Sequence, residues 1–238
     1  MTVFRKISRK MVESLSLSFE PVGVTLYGAA DPLTENISFT DKKFKSYCQA
    51  LVLAGKGEVL LLRKEQMGCK LGTSVLGFEK NRYAYLDDGV LEKYGVGLFA
   101  TEEASAETIL KSTFLEKGTT QSAFIAPLSS FMQTPQVVVF TANSEQVMWL
   151  LYAMNYDKGG KMNLPQSGGA LGGCADITAL PILEGIPNIT CLGLGCRLKS
   201  AIKPGDLMMG IPGKDIEMIA QNIENMARPI AMLTSAHP

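Results

Sequence analysis

The chain reads as an α+β protein, a mixed sheet with helices, folded as a single domain (residues 1–238) built from two pseudo-repeated halves. Three observations lead there. Strand-like runs such as VGVTLY, EVLLLR and VVVFT stand among apolar stretches of helical length, so both element types are expected. The joining segments are too irregular for a plain doubly wound sheet, which leaves an α/β three-layer arrangement as the alternative. Finally, VGVTLY, SYCQALVLAGKGEVLLL and MGCKLGTSVLGF run in the same order as VVVFTA, EQVMWLLYAMNYDKGGKMNL and GGCADITALP. On that alignment Ala50 matches Ala153, Gly57 matches Gly160 and Cys69 matches Cys174, giving half-repeats of about 20–115 and 121–227.

Each element has a local reason. Phe4, Ile7 and Met11 share a helical face, which predicts a first helix over residues 4–14. A strand follows at Val22–Tyr27, and then a loop rich in turn formers. Phe44–Ala54 is apolar on most sides and ends at Gly55-Lys56-Gly57, the pattern of a buried helix with a glycine stop. Glu58–Arg63, with three leucines in a row, suits a strand covered on both faces. Met67–Phe78 opens with Gly-Cys and continues as a short helix; after a charged passage come a strand at Val96–Ala100 and a helix at Ser105–Leu115.

The strand-like AFIAPL marks the seam between the halves. A strand at Pro135–Thr141 leads to a helix starting near Asn143-Ser144, with Trp149 expected in the core. Ile177–Leu183 reads as a helix stopped near Pro181. Leu207–Ile211 is a strand, and Asp215–Met226 a last helix with Ile216, Ile219, Ala220 and Ile223 at core spacing, followed by a mobile tail.

Composition narrows the function. The chain is 46% hydrophobic and 19% charged, which is a globular balance. Acidic and basic residues number 23 each, so neither nucleic acid nor an anionic membrane is an expected partner. No apolar run has the length of a bilayer span and the N-terminus does not read as a signal peptide, so the expected location is cytoplasmic. Five cysteines without an export signal argue for reduced thiols. The single histidine, His237, stands next to the last residue, which removes catalysis and metal binding that depend on imidazole.

The chemistry-bearing stretch is Gly168–Arg197, where two glycine-rich passages, GGALGGC and CLGLGC, flank a short apolar run. Cys69, Cys174, Cys191 and Cys196 each stand near glycine at an expected element end, and Cys174 is expected to have thiolate character at a helix start. Glycines preceding three of them, Gly68, Gly173 and Gly195, allow backbone to approach a cofactor, and Arg197 is a candidate anion holder. Such thiolates suit iron–sulfur ligation. Cys48, between Tyr47 and Gln49 on an apolar helix, reads from its own surroundings as core. GGALGGC lacks the GxGxxG spacing after a strand, so no nucleotide is expected.

The set PVGVTL, CQALVLAGKGE, MGCKLGTSVLGF, VMWLLYAMNYDKGG, GGCADITALPILEGIPNITCLGLGCR and DLMMGIPG resembles the uncharacterised bacterial and archaeal family called "domain of unknown function 169". The resemblance runs from about Pro21 to the last helix. It implies cysteines at Cys48, Cys69, Cys174 and Cys196, with Cys191 less regular, and no activity. The expectation is therefore a cytoplasmic protein whose halves bring Cys48, Cys69, Cys174 and Cys196, with Cys191 as substitute, to an iron–sulfur cluster or other thiolate-ligated metal centre of redox or cofactor-linked role. Its partners would be a small molecule or a redox protein, and a homo-oligomer is compatible with the sequence. Two alternatives stand beside it: a small-molecule binding module with a glycine-lined cleft between the halves, and a thiol enzyme.

Overall fold

The computed structural model describes residues 2–29, 31, 38–79 and 98–235, with side chains through residue 226. The 80–95 passage and the final three residues lie outside the described residues, as does the start of the strand expected at Val96–Ala100; residues 98–100 form no strand. The helices are α1 (Val3–Leu15), α2 (Tyr47–Gly55), α3 (Lys70–Val75), α4 (Glu102–Lys111), α5 (Ser144–Asn155), α6 (Leu180–Glu184), α7 (Leu194–Ser200) and α8 (Ile216–Ser235), with a stretch of π-helix at Gly172–Ala179. The strands are β1 (Val22–Tyr27), β2 (Leu60–Leu62), β3 (Ser122–Pro127), β4 (Val137–Ala142), β5 (Asn188–Thr190) and β6 (Leu207–Pro212). The architecture is α+β, and all six strands are antiparallel in the order β2-β3-β1-β4-β6-β5.

That order is its own mirror in sequence number: β1, β2 and β3 occupy the places that β4, β5 and β6 occupy on the other side of the β1–β4 contact. The registers agree residue for residue. β1 pairs with β3 from Val22–Pro127 to Tyr27–Ser122, and β4 with β6 from Val137–Pro212 to Ala142–Leu207. At the centre Val22 meets Val139, Gly23 meets Val138 and Val24 meets Val137, so the pseudo-twofold passes through the Gly23–Val138 pair. Pro127 and Pro212 each end a strand and lead into a 3₁₀ turn, Leu128–Ser130 in one half and Gly213–Asp215 in the other.

The equivalent units differ from those aligned by sequence. Cys48 on α2, the glycine stop and β2 correspond to Cys174, Gly185 and β5; Met67-Gly68-Cys69 before α3 corresponds to Leu194-Gly195-Cys196 in α7. Gly57 and Gly185 both turn the chain with positive φ, 108° and 65°, a conformation that side chains other than glycine resist. The helix equated with α2 from sequence, α5, packs on the other face of the sheet. AFIAPL is strand β3 of the first half. Alternate side chains of the strands point opposite ways, and both faces of the sheet are apolar and covered by helices.

Two cores result. On one face Val22, Val24, Ile125, Val137 and Met208 pack under α2, α3, α4 and the π-helix. On the other, Phe124, Val138, Phe140 and Ile211 pack under α1, α5 and α8. Trp149 is only half-buried and lies with its ring 5.8 Å from that of Tyr152. Pro181 does not stop a helix. It sits at the start of α6, in the first turn, where a missing N–H costs little because the winding changes there.

Candidate thiol site

All four cysteines implied by the resemblance come together on the first face, at the start of helical segments. Cys48 lies in the first turn of α2 and Cys174 near the start of the π-helix; Cys69 caps α3 and Cys196 lies in the first turns of α7. α2 packs on α7 and on the π-helix, and α3 also touches the π-helix, which closes the group. Each of the six sulfur pairs is near enough for charge on one thiol to raise the proton affinity of the other. Cys191 is exposed and stands outside this set.

The thiols differ in character. Cys48, 1% exposed, hydrogen-bonds Cys196, and that contact together with burial holds it well above the ordinary thiol range. The same bond lowers Cys196, with the Cys48 thiol donating to the Cys196 sulfur, and the Gly173 N–H and Lys199 lower it further. Burial pushes Cys174 well up, against the thiolate expected there, and its thiol donates to the Leu171 carbonyl at 3.6 Å. A helix start lowers a thiol only where the sulfur remains solvated enough to ionise, and Cys174 is buried. Burial also raises Cys69, partly offset by the Gly72 N–H, which donates to its sulfur at 3.4 Å. Backbone N–H groups thus point at Cys69, Cys174 and Cys196.

Local backbone explains the close fit. A Cβ on Gly173 would stand 2.3 Å from the Cys48 sulfur, so only glycine leaves room for it. Gly68 is pressed against Phe44, with its missing Cβ 2.8 Å from the Phe44 carbonyl oxygen, whereas Gly195 faces open space. Arg197 spends its guanidinium on the carbonyls of Cys191, Lys203, Pro204 and Asp206, tying the loop after α7 to its start. Leu192 is held at φ 64°, a left-handed conformation that costs a branched side chain energy, with its N–H bonded to Thr190 Oγ1 at 3.0 Å. The π-helix is stitched by Thr178 Oγ1, which donates to the Gly173 carbonyl at 2.9 Å and contacts the Tyr47 hydroxyl at 3.1 Å. π-helical turns are rare and concentrate at functional sites.

A mostly apolar cavity of about 120 Å³ opens on the group, lined by Cys69, Cys174 and Cys196 with Leu71, Ile109 and Leu171. Gly169, Gly193 and Gly195 form part of its wall, and Lys199 supplies a cation. Beside it, Asp176 is 5% exposed and receives hydrogen bonds from the Ser167 N–H and hydroxyl; burial pushes its carboxyl up to about 6. Sequence reading passed over this residue, although a single acid inside the apolar run GGCADITALP was the available signal. Among the described residues, no group of three or more His, Cys, Asp or Glu side chains is arranged to hold a metal ion. No helix among them is long and apolar enough to cross a membrane.

Comparison with known proteins agrees with the resemblance drawn from the motifs. An uncharacterised protein of Methanocaldococcus jannaschii, MJ0308, is 26% identical over 222 residues, which cover 93% of this chain and 94% of that protein. No solved structure matches the chain. The model of "domain of unknown function 169", described as "Uncharacterised ArCR", matches residues 10–222, and the chain belongs to that family.

Proposed function

We propose that Cys48, Cys69, Cys174 and Cys196 hold an iron–sulfur cluster or a related thiolate-bound metal centre that serves redox or cofactor-linked chemistry. The observation that carries this reading is the gathering of two thiols from each half at one place, Cys69, Cys174 and Cys196 around one cavity and Cys48 against Gly173 beside the Cys196 sulfur. The donor set suits soft metal chemistry, since it is all sulfur and backbone N–H groups stand ready to stabilise thiolates. A single zinc ion would need all its sulfurs about 2.3 Å from one point. A cluster of several irons is wider and does not require that convergence. Bound there, it would supply one-electron chemistry. The chain's own part is to hold the sulfurs, to give up the protons of Cys48 and Cys174 on loading, and to offset negative charge with Lys199.

Anaerobic purification or reconstitution with iron and sulfide, followed by iron and sulfide assay and a visible spectrum, tests the proposal. We expect a coloured protein whose iron is lost on changing Cys48, Cys69, Cys174 or Cys196 to serine and kept in Cys191→Ser. A colourless, metal-free protein with intact thiols after reconstitution overturns it. The apolar, glycine-walled cavity between the halves favours a second reading, a module that binds a small organic ligand with thiols merely lining the site. Cysteine-to-serine variants that retain ligand affinity would select that reading.

A further inference from the structure

A second cavity, of about 350 Å³, lies at the end of the β1–β3 pair where Tyr27 meets Ser122, and it shares no lining residue with the thiol cavity. Its walls include Phe39, Arg63, Lys64, Phe78, Thr120 and Ser122. Two of these groups are uncommitted. The Ser122 hydroxyl belongs to a residue only 2% exposed and finds no hydrogen-bond partner. A buried hydroxyl without a partner is uncommon and calls for an explanation. Arg63 lies over the Phe39 ring, its guanidinium carbon 3.6 Å from the centroid, and has no carboxylate partner among the described residues.

Two of the other charges around the cavity have partners. Lys64 reaches Glu79 at 3.5 Å, and the Asp31 carboxylate accepts the Gly28 N–H at 2.6 Å. Stacking on Phe39 fixes the plane of the Arg63 guanidinium and strips water from one face, which leaves its fork ready for a planar anion. Volume suits a small metabolite and is too little for a dinucleotide. Asp31 and Glu65 also line the cavity and disfavour a doubly charged phosphate.

We infer that this cavity binds a small organic carboxylate, which pairs with the Arg63 guanidinium and meets the Ser122 hydroxyl through a further oxygen. The test uses the full chain with benzoate, salicylate, lactate and pyruvate, each singly charged, at about 10 mM, a concentration that reveals millimolar sites, read by thermal shift and calorimetry. At least one carboxylate raises Tm. Arg63→Lys, which keeps the charge and loses the fork, weakens binding about tenfold; Ser122→Ala leaves the unliganded Tm unchanged or higher and weakens binding several-fold. Arg63 is exposed, so its variants keep the fold. The assignment is overturned if no probe shifts Tm, if binding survives both substitutions, or if inorganic phosphate binds as well with the same dependence on Arg63.

Discussion

The two halves share a sheet register but not a helix. In the first, Cys48 rides an ordinary α-helix whose Ser46 cap accepts the Gln49 N–H, and Tyr47 fills the space behind it. In the second, Cys174 rides a π-helix with no side-chain cap, and the residue before it is Gly173 where the one before Cys48 is Tyr47. Two residues after the cysteine stands Ala50 in the first half and Asp176 in the second. One site of the pair is therefore dense and neutral, while the other is widened and carries a buried acid. The difference teaches that the sheet keeps its symmetry where backbone hydrogen bonds set it. The helices diverge where they face one another, because a side chain at residue 173 would stand in the place of the Cys48 sulfur.

Substitutions can break or sharpen this contrast. Tyr47→Ala should cost most, about 3–5 kcal/mol, since it empties the space of a fully buried ring; a denaturant midpoint measures it, and a loss under about 1 kcal/mol would mean the first half is not the dense one. Asp176 comes next. Its carboxyl is raised in the folded protein, so the protonated form is favoured there: stability is fully present below the ordinary carboxylate range and falls as pH rises from about 4 towards 6, by about 2–3 kcal/mol. Melting curves of the metal-free protein should show that decline and Asp176→Asn should flatten it.

Gly173→Ala should cost about 1–3 kcal/mol, because the new methyl meets the Cys48 sulfur; Gly195→Ala, facing open space, is the matched control and should lie within about 1 kcal/mol of wild type, the ordinary glycine-to-alanine range. The smallest effect is kinetic. In a metal-free Cys191→Ser background, Cys196 should alkylate faster than Cys174, and Cys48→Ala should slow it several-fold by removing the thiol that donates to it. Equal rates at the two sites would erase the proposed asymmetry.

Much of this was legible in the chain. Apolar runs marked five of the six strands, and the Gly55-Lys56-Gly57 stop marked the end of α2. β5 escaped because Asn188–Thr190 is three residues long and shows no alternation to read. The repeat was visible but set in the wrong register, since α5 and the segment after it intervene between β4 and the Cys174 helix. Local order then matched α5 to α2, and only hydrogen-bond register distinguishes a helix on one face from a helix on the other. Cys48 was invisible as a site from its neighbours, because an apolar helix looks the same whether its cysteine is filler or meets other thiols. Cys69 and Cys196 were legible through the Gly-Cys step preceding each.

The pairing of Val22, Gly23 and Val24 with Val139, Val138 and Val137 reads the same from either strand. A polypeptide of half this length, with a single trio of strands, would therefore meet a second molecule of itself edge to edge through the same bonds. Each molecule would bring two sulfurs to the shared face. Duplication and fusion of such a dimer's gene would join those partners covalently and free each copy to drift, one keeping its tyrosine and the other acquiring its acid.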